Sequence, residues 1–447
     1  MVPVSKHGTD GADVTYRRWV RPSPARRLRP ALLSLLLTCC YVAAVTSADL
    51  ASAAAAPGVV SAKRADTQQI HYHQLDSGAE LRTGSGKGTR VARGRLRIDT
   101  PTATRKLGGT RYEQSTWNSP WVEPGFSFTE LIASWSAVTP GNSFVEIRVR
   151  GRNAEGRRSS WDLMARWAKS DKFLKRTTKA GQADDLAAVN VDTWRAPAGM
   201  TSYQLRVTLA RKAGTNRNPG IDTIGAVVSR LPDTAPATSR PGPGRGIVLD
   251  VPRYSQMIHE GDYPQWNGGG QAWCSPTSTS MVLGYYDSLP GPQAYSWVPD
   301  GHTDPWVDYA ARMTFDYDYD GAGNWPFNTA YAAPRVGHGF VTRLRSLREA
   351  EQFIKAGIPL VASISFGDGQ LTGAPIGGTA GHLLVISGFT EDGDVVVNDP
   401  AGRTSSAVRR TYDRGQLERA WLNGSGGVVY VIHDSAHPLP ASKHGNW

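Results

Sequence analysis

Gly268-Gly-Gly-Gln-Ala-Trp-Cys274-Ser-Pro-Thr-Ser-Thr-Ser-Met-Val-Leu-Gly-Tyr-Tyr286 is the stretch whose reading decides the fold. Pro276 suits the first turn of a helix, the Ser and Thr residues suit its cap, and Met281, Val282 and Tyr285 recur at helical spacing. A helix starting at Cys274 follows. Unpaired N–H groups at a helix start favour a thiolate, and the N–H of Cys274 itself can serve an oxyanion formed on an attacked carbonyl. The preceding glycines allow a substrate backbone to approach closely.

A thiolate nucleophile needs a base. Gly378-Thr-Ala-Gly-His382-Leu-Leu-Val-Ile-Ser-Gly-Phe389 and Val395-Val-Val-Asn-Asp399-Pro400 read as two strands of a hairpin turning at Asp392-Gly393. With those two residues as the loop, Asp399 faces Ile386, whose parity matches His382, and Asn398 faces Ser387 on the opposite side. Parity favours Asp399 as the group that orients the imidazole. In that register the two are still four positions apart along the strand, so a bulge, a twist or a longer turn has to close the gap. His338 is a weaker rival, and His259 and His302 fall in loops.

Cysteine usage supports a functional thiol. Of Cys39, Cys40 and Cys274, the first two fall in residues 1–53, which read as a secretory signal peptide. Arginines at positions 17 to 29 precede the apolar run Ala31–Val45, and Ala51-Ser52-Ala53 follows it. That run is shorter than the ~20 residues a bilayer span needs. The expected product is a secreted, extracellular or cell-wall-associated protein without a membrane span after cleavage. It holds one cysteine and no intramolecular disulfide.

Charge separates two further modules. Residues 57–232 carry 28 Lys and Arg against 15 Asp and Glu, whereas residues 233–447 carry 15 against 21. Between them the Pro/Ala/Thr/Gly-rich segment 231–246 reads as a solvated linker. In the basic module, Phe128–Val138, Phe144–Arg150, Tyr203–Ala210 and Ile221–Leu231 read as strands, several with period-two alternation. They predict a one-sided, two-sheet sandwich over 66–230. Trp117, Trp121, Trp135, Trp161, Trp167 and Trp194, with the basic run Lys169, Lys172, Lys175, Arg176 and Lys179, fit either core packing or capture of an anionic wall polymer. Nucleic acid is not expected of an exported chain lacking a recognition motif.

Cofactor signals are weak. His71 and His73 share a strand face without a third ligand nearby. Asp316-x-Asp318-x-Asp320-Gly321 copies half a calcium loop, but Phe327 stands where the bidentate glutamate belongs. No cofactor or metal is expected.

Cys at a helix start, His opening a strand and Asn-Asp-Pro closing the next resembles a papain-like peptidase. More narrowly, Val251-Pro-Arg-Tyr-Ser-Gln256, Trp273-Cys-Ser-Pro-Thr-Ser278, Gly323-Asn-Trp-Pro-Phe-Asn-Thr-Ala330, Gly381-His-Leu and Val397-Asn-Asp-Pro400 resemble the extracellular branch of cysteine peptidase family 39, the double-glycine leader peptidases. The resemblance spans 247–435, leaving 436–447 as a tail. It implies a papain-like α+β domain after the all-β one, with Cys274 as nucleophile, His382 as general base and acid, and Asp399 as its orienter. It also implies a glutamine oxyanion donor, Gln256 by motif position or Gln271 by proximity. Serine follows the cysteine where glycine is frequent, and the transporter segments of leader-processing members are absent. The expected activity is peptide-bond hydrolysis; the alternatives are a papain-like acyltransferase, a cell-wall amidase or a non-catalytic wall-binding protein.

Overall fold

The structure is a computed structural model that describes residues 67–234 and 236–447. The signal-peptide reading of 1–53 therefore lies outside the described residues. Three antiparallel sheets carry the architecture.

The first sheet runs Ala188–Asn190, Thr193–Met200, Phe128–Val138, Gly220–Arg230, Arg95–Ile98, Thr89–Ala92, with Gln69–Leu75 also paired to Gly220–Arg230. The second runs Ser85–Lys87, Thr110–Asn118, Ser202–Lys212, Ser143–Arg152, Asp162–Trp167, with Ala103–Leu107 on Thr110–Asn118. All four strands expected in the basic module form. One-sidedness does not hold for the first sheet, because Phe128–Val138 and Gly220–Arg230 are buried at most of their positions. One face meets the second sheet and the other is covered by the C-terminal half of the chain.

That cover is specific. The Val341 N–H donates to Ser134 Oγ at 2.9 Å, Arg343 donates to Glu130 at 2.7 Å, and Phe327 packs edge-on to Trp135 and Trp167. The described residues accordingly belong to one compact unit. Segment 231–246 is exposed over much of its length, yet it is pinned rather than a free tether. Ser239 donates through N and Oγ to Glu418, Gly244 N–H donates to Glu351, and Arg414 donates to the Ser239 carbonyl. The tail returns as well, with the Gly445 carbonyl accepting from Tyr72 N–H and Trp447 packing on Phe353.

The third sheet runs His338–Arg343, Val428–His433, Leu360–Phe366, Thr379–Phe389, Val395–Asn398, Arg409–Tyr412. Helices follow in chain order as α1 (Gly78–Leu81), α2 (Cys274–Tyr285), α3 (Pro305–Thr314), α4 (Trp325–Val336), α5 (Leu347–Lys355) and α6 (Arg414–Ser425). Helix α2 is buried from Ser275 to Leu283. It is thus enclosed on all sides, and its run of small Ser and Thr residues lets neighbouring backbones come close. Ser278 Oγ donates to the Leu383 carbonyl at 3.1 Å and Ser275 Oγ pairs with Tyr430 Oη at 2.8 Å. The first bond fixes the helix start against the strand that carries His382, the second against Val428–His433.

Of the residues that fit either core packing or polymer capture, several are interior. Trp117, Trp135, Trp167 and Trp194 are all buried core residues. Arg176, from the basic run, is fully buried and donates to the carbonyls of Ala168, Arg312 and Phe315, which makes it a buckle between the two halves. Asp316 of the half calcium loop accepts from Thr178 N, Thr178 Oγ1, Asn324 Nδ2 and the N–H groups of Asp318 and Tyr319. These donors engage Asp316 from both halves of the chain, so this loop is an interdomain hydrogen-bond hub.

Candidate active site

Cys274 is the first residue of α2, preceded by Trp273, which is fully buried and anchored through Nε1 to the Trp266 carbonyl at 2.6 Å. As a first-turn residue, Cys274 has an N–H with no intrahelical acceptor. Its side chain is half-buried and shares the cleft with His382, whose pKa its proximity helps to raise. His382 Nε2 lies 2.8 Å from Oδ1 of Asp399, so the other ring nitrogen is the one left for the sulfur.

The hairpin closes the gap between His382 and Asp399 by a register that differs from the expected one. Its loop has three residues, Glu391–Gly393, with Thr390 and Asp394 paired across it and Gly393 at φ 95°. A bulge at Ser387 then separates the Gly388–Val396 pair from the Ile386–Val397 pair. Each irregularity slides the strands by one position. Continued from the Val385–Asn398 pair, Asp399 falls opposite Leu384, keeping the parity of His382 and halving the distance along the strand.

Asp399 is 1 % exposed and fully engaged: Oδ1 also accepts from Ala401 N–H at 3.0 Å, and Oδ2 accepts from Tyr412 Oη at 2.7 Å. Burial pushes its carboxyl up, but the His382 charge and these donors outweigh burial and hold it below the usual carboxylate range. For His382, burial alone would favour the neutral ring. The charge and hydrogen bond of Asp399, followed by the proximity of Cys274, overcome it and raise the imidazole to about 10. The imidazolium is therefore the resting form at neutral pH. Burial and the adjacent Asp399 charge raise the Tyr412 phenol, which stays a donor.

Both glutamines sit beside the thiol, with different freedom. Gln271 is tied at both ends of its amide, Nε2 donating to the Gly268 carbonyl and Oε1 accepting from Gly261 N–H. Gln256, in the turn Gln256–His259, is buried and gives one Nε2 hydrogen to the Gln271 carbonyl at 2.8 Å, leaving the second. Gln256, Gln271, Cys274 and His382 line one cleft of about 710 Å³. His338 instead stacks on His433 with centroids 4.7 Å apart.

Sequence reasoning missed Tyr412 and a turn of the N-terminal sandwich. Tyr412 lies on the neighbouring strand, where only a correct register would have placed it. Tyr319 and Trp325 line the cleft from the loop after α3 and the start of α4. From the N-terminal sandwich, the connection Asn190–Thr193 and Arg195 also line it. Asp192 at its tip accepts from Trp325 N–H at 3.1 Å, and burial pushes its carboxyl up to about 6. Nothing in the local sequence marks this turn; only docking of the two halves reveals it. Among the described residues, the cluster able to hold a metal is His259, Asp262, His302 and Asp308, apart from His71 and His73.

A helix-borne thiol, a buried imidazole and a buried carboxylate thus come together on a β-rich two-part scaffold, an arrangement that can support nucleophilic chemistry at sulfur. The Peptidase C39 N-terminal domain family matches residues 71–229, and the Peptidase_C39 like family matches residues 248–428. The chain belongs to the C39-like cysteine peptidases. No curated protein matches it. No helix among the described residues is long and apolar enough to cross a membrane.

Proposed function

We propose that this chain is an exported, papain-like cysteine peptidase that hydrolyses peptide bonds through Cys274, His382 and Asp399. The hydrogen-bonded run His382–Asp399–Tyr412, with Cys274 facing the same cleft as His382, carries this reading. The export half of the proposal rests on residues 1–53 and on the single thiol that remains.

The chemistry is acyl transfer. The Cys274 thiolate forms a bond to the carbonyl carbon while the C=O electron pair moves onto oxygen. Cys274 N–H and the free Gln256 Nε2 hydrogen receive that oxyanion. On collapse the C–N bond breaks, and His382 gives its proton to the departing amine. His382 then takes a proton from water as its oxygen attacks the thioester; the C–S bond breaks, releasing the acid and restoring the Cys274 thiolate beside the His382 imidazolium. Asp399 keeps the ring oriented throughout and stabilises it whenever it carries the proton.

The test is labelling with an epoxysuccinyl peptide together with hydrolysis of a fluorogenic peptide library. Alkylation at Cys274, loss of cleavage in Cys274→Ala, and loss of both in His382→Ala are expected. A thiol that the probe leaves untouched, with turnover surviving in Cys274→Ala, overturns the reading.

A second reading, wall-polymer capture by the N-terminal sandwich, is favoured by one patch. The guanidinium groups of Arg150, Arg152 and Arg158 lie over the Trp121 ring, and those of Arg150 and Arg206 lie over Trp161. The indole faces are thus occupied by arginine rather than open to sugar rings, and the patch fits a polyanion. Salt-sensitive sedimentation with teichoic-acid-bearing wall, lost in Arg152→Ala/Arg158→Ala, is expected; sedimentation equal in the variant rejects it.

A further inference from the structure

Next to the catalytic cleft, four side chains from three separate segments converge. His259 ends the turn Gln256–His259, Asp262 follows it, His302 precedes α3 and Asp308 lies in its first turn. His259 Nδ1 is 3.2 Å from Asp308 Oδ2 and 4.0 Å from Asp262 Oδ2. His302 Nε2 is 3.2 Å from each of those two oxygens. A tetrahedral zinc with bonds of about 2.0 Å separates its donor atoms by about 3.3 Å. Three of the four nitrogen–oxygen distances, at 3.2 Å, are close to that figure, and the fourth, at 4.0 Å, is longer.

Simple carboxylate–imidazole pairing does not account for the cluster. At 3.2 Å a nitrogen and an oxygen are near enough to share a hydrogen. Yet His259 Nδ1, His302 Nε2 and both Asp308 oxygens have no hydrogen-bond partner among the described residues. His259 and Asp308 are both 0 % exposed. An unpaired buried carboxylate costs several kcal/mol, and a native fold rarely leaves such groups unsatisfied. The donor atoms lack hydrogen-bond geometry toward one another because they aim at a common centre, which a cation satisfies in one step.

We propose that His259 Nδ1, Asp262 Oδ2, His302 Nε2 and Asp308 Oδ2 form a zinc site. Two imidazole nitrogens with two carboxylate oxygens suit zinc or a neighbouring divalent transition metal, whereas calcium takes six to eight oxygens. Four protein donors leave no open position, so the site is structural. Its position gives it work to do for catalysis without taking part in it. His259 shares its turn with Gln256, and a Cβ at Gly270 would collide with the carbonyls of both residues. The His259 ring also lies 6.2 Å from that of Trp273, the residue before Cys274. A metal joining this turn to α3 clamps the segment that carries Gln256 and leads into Cys274.

The experiment uses the full protein lacking residues 1–53. After chelator treatment and return of zinc, mass spectrometry of bound metal should find close to one zinc per chain. Cobalt loading should produce the intense visible absorption of a tetrahedral ion. His302→Ala and Asp262→Ala, at partly exposed positions, should weaken zinc binding by more than the about 10–100-fold that changes outside a ligand set cause. Asp320→Ala, an exposed acid in the 316–321 loop, should bind as wild type. Circular dichroism confirms that each variant is folded. Folded wild-type protein that holds no more zinc than His302→Ala, or a cobalt spectrum of octahedral type, overturns the proposal.

Discussion

Replacing Tyr412 with phenylalanine isolates the least expected support of the candidate site. The ring stays and only the hydroxyl is lost, so packing is preserved while Oδ2 of a 1 % exposed carboxylate loses its 2.7 Å donor. A hydrogen bond to a charged group contributes about 1.5–3 kcal/mol. With about 2.1 cal/mol/K of unfolding entropy per residue, the compact unit of the described residues unfolds with about 0.8 kcal/mol/K if it melts cooperatively. Tm should then fall by about 2–4 °C at pH 7. The pH dependence gives the sharper check. Asp399 is held below the ordinary carboxylate range, so its contribution is present above that range and is lost as pH falls through its folded value. Once protonated it meets Tyr412 as a neutral partner worth about 0.5–1.5 kcal/mol, and the Tm difference should shrink to about 1–2 °C. Calorimetry of both proteins from pH 7 to pH 3 reads this directly. Equal Tm at pH 7, or a difference that grows on acidification, refutes the reasoning.

Three further outcomes are expected. Gln256→Ala should lower kcat by about 10²–10³-fold, the cost of one oxyanion donor, with the rate of Cys274 alkylation unchanged; equal kcat would return the role to Gln271. Arg176→Met should destabilise the whole compact unit in urea, because the carbonyls of Ala168, Arg312 and Phe315 lose their donor at about 1–3 kcal/mol each; an unshifted midpoint denies the buckle. The imidazolium of His382, raised to about 10, contributes stability that is full below the ordinary value of about 6.5 and is lost as pH rises through about 10. Tm should therefore decline across that window in the wild type, with a flatter profile in His382→Gln; parallel profiles contradict it.

The sequence was most informative where chemistry and local geometry agree. Pro276 and the Ser/Thr run mark the helix start at Cys274, and strand parity paired His382 with Asp399 rather than Asn398. It failed where one residue of turn length matters. Asp392-Gly393 reads as a two-residue loop, whereas the chain uses Glu391–Gly393 and adds a bulge at Ser387, and neither has a strong local signature. Tertiary packing concealed the rest. Trp135, Trp167 and Arg176 fit packing or binding equally in the sequence, and only docking of the C-terminal half over them decides for packing. Asp192 enters the cleft by the same docking. His259 and His302 fall in loops in sequence, and only the fold brings them to Asp262 and Asp308.

The central claim is that Cys274 and His382 act as a pair, and alkylation of the single thiol in protein lacking residues 1–53 tests it most directly. The account predicts that iodoacetamide modifies Cys274 readily at pH 6, and that His382→Ala makes the reaction slow there and dependent on alkaline pH. A wild-type thiol that reacts only under alkaline conditions, with the same profile in His382→Ala, would contradict it.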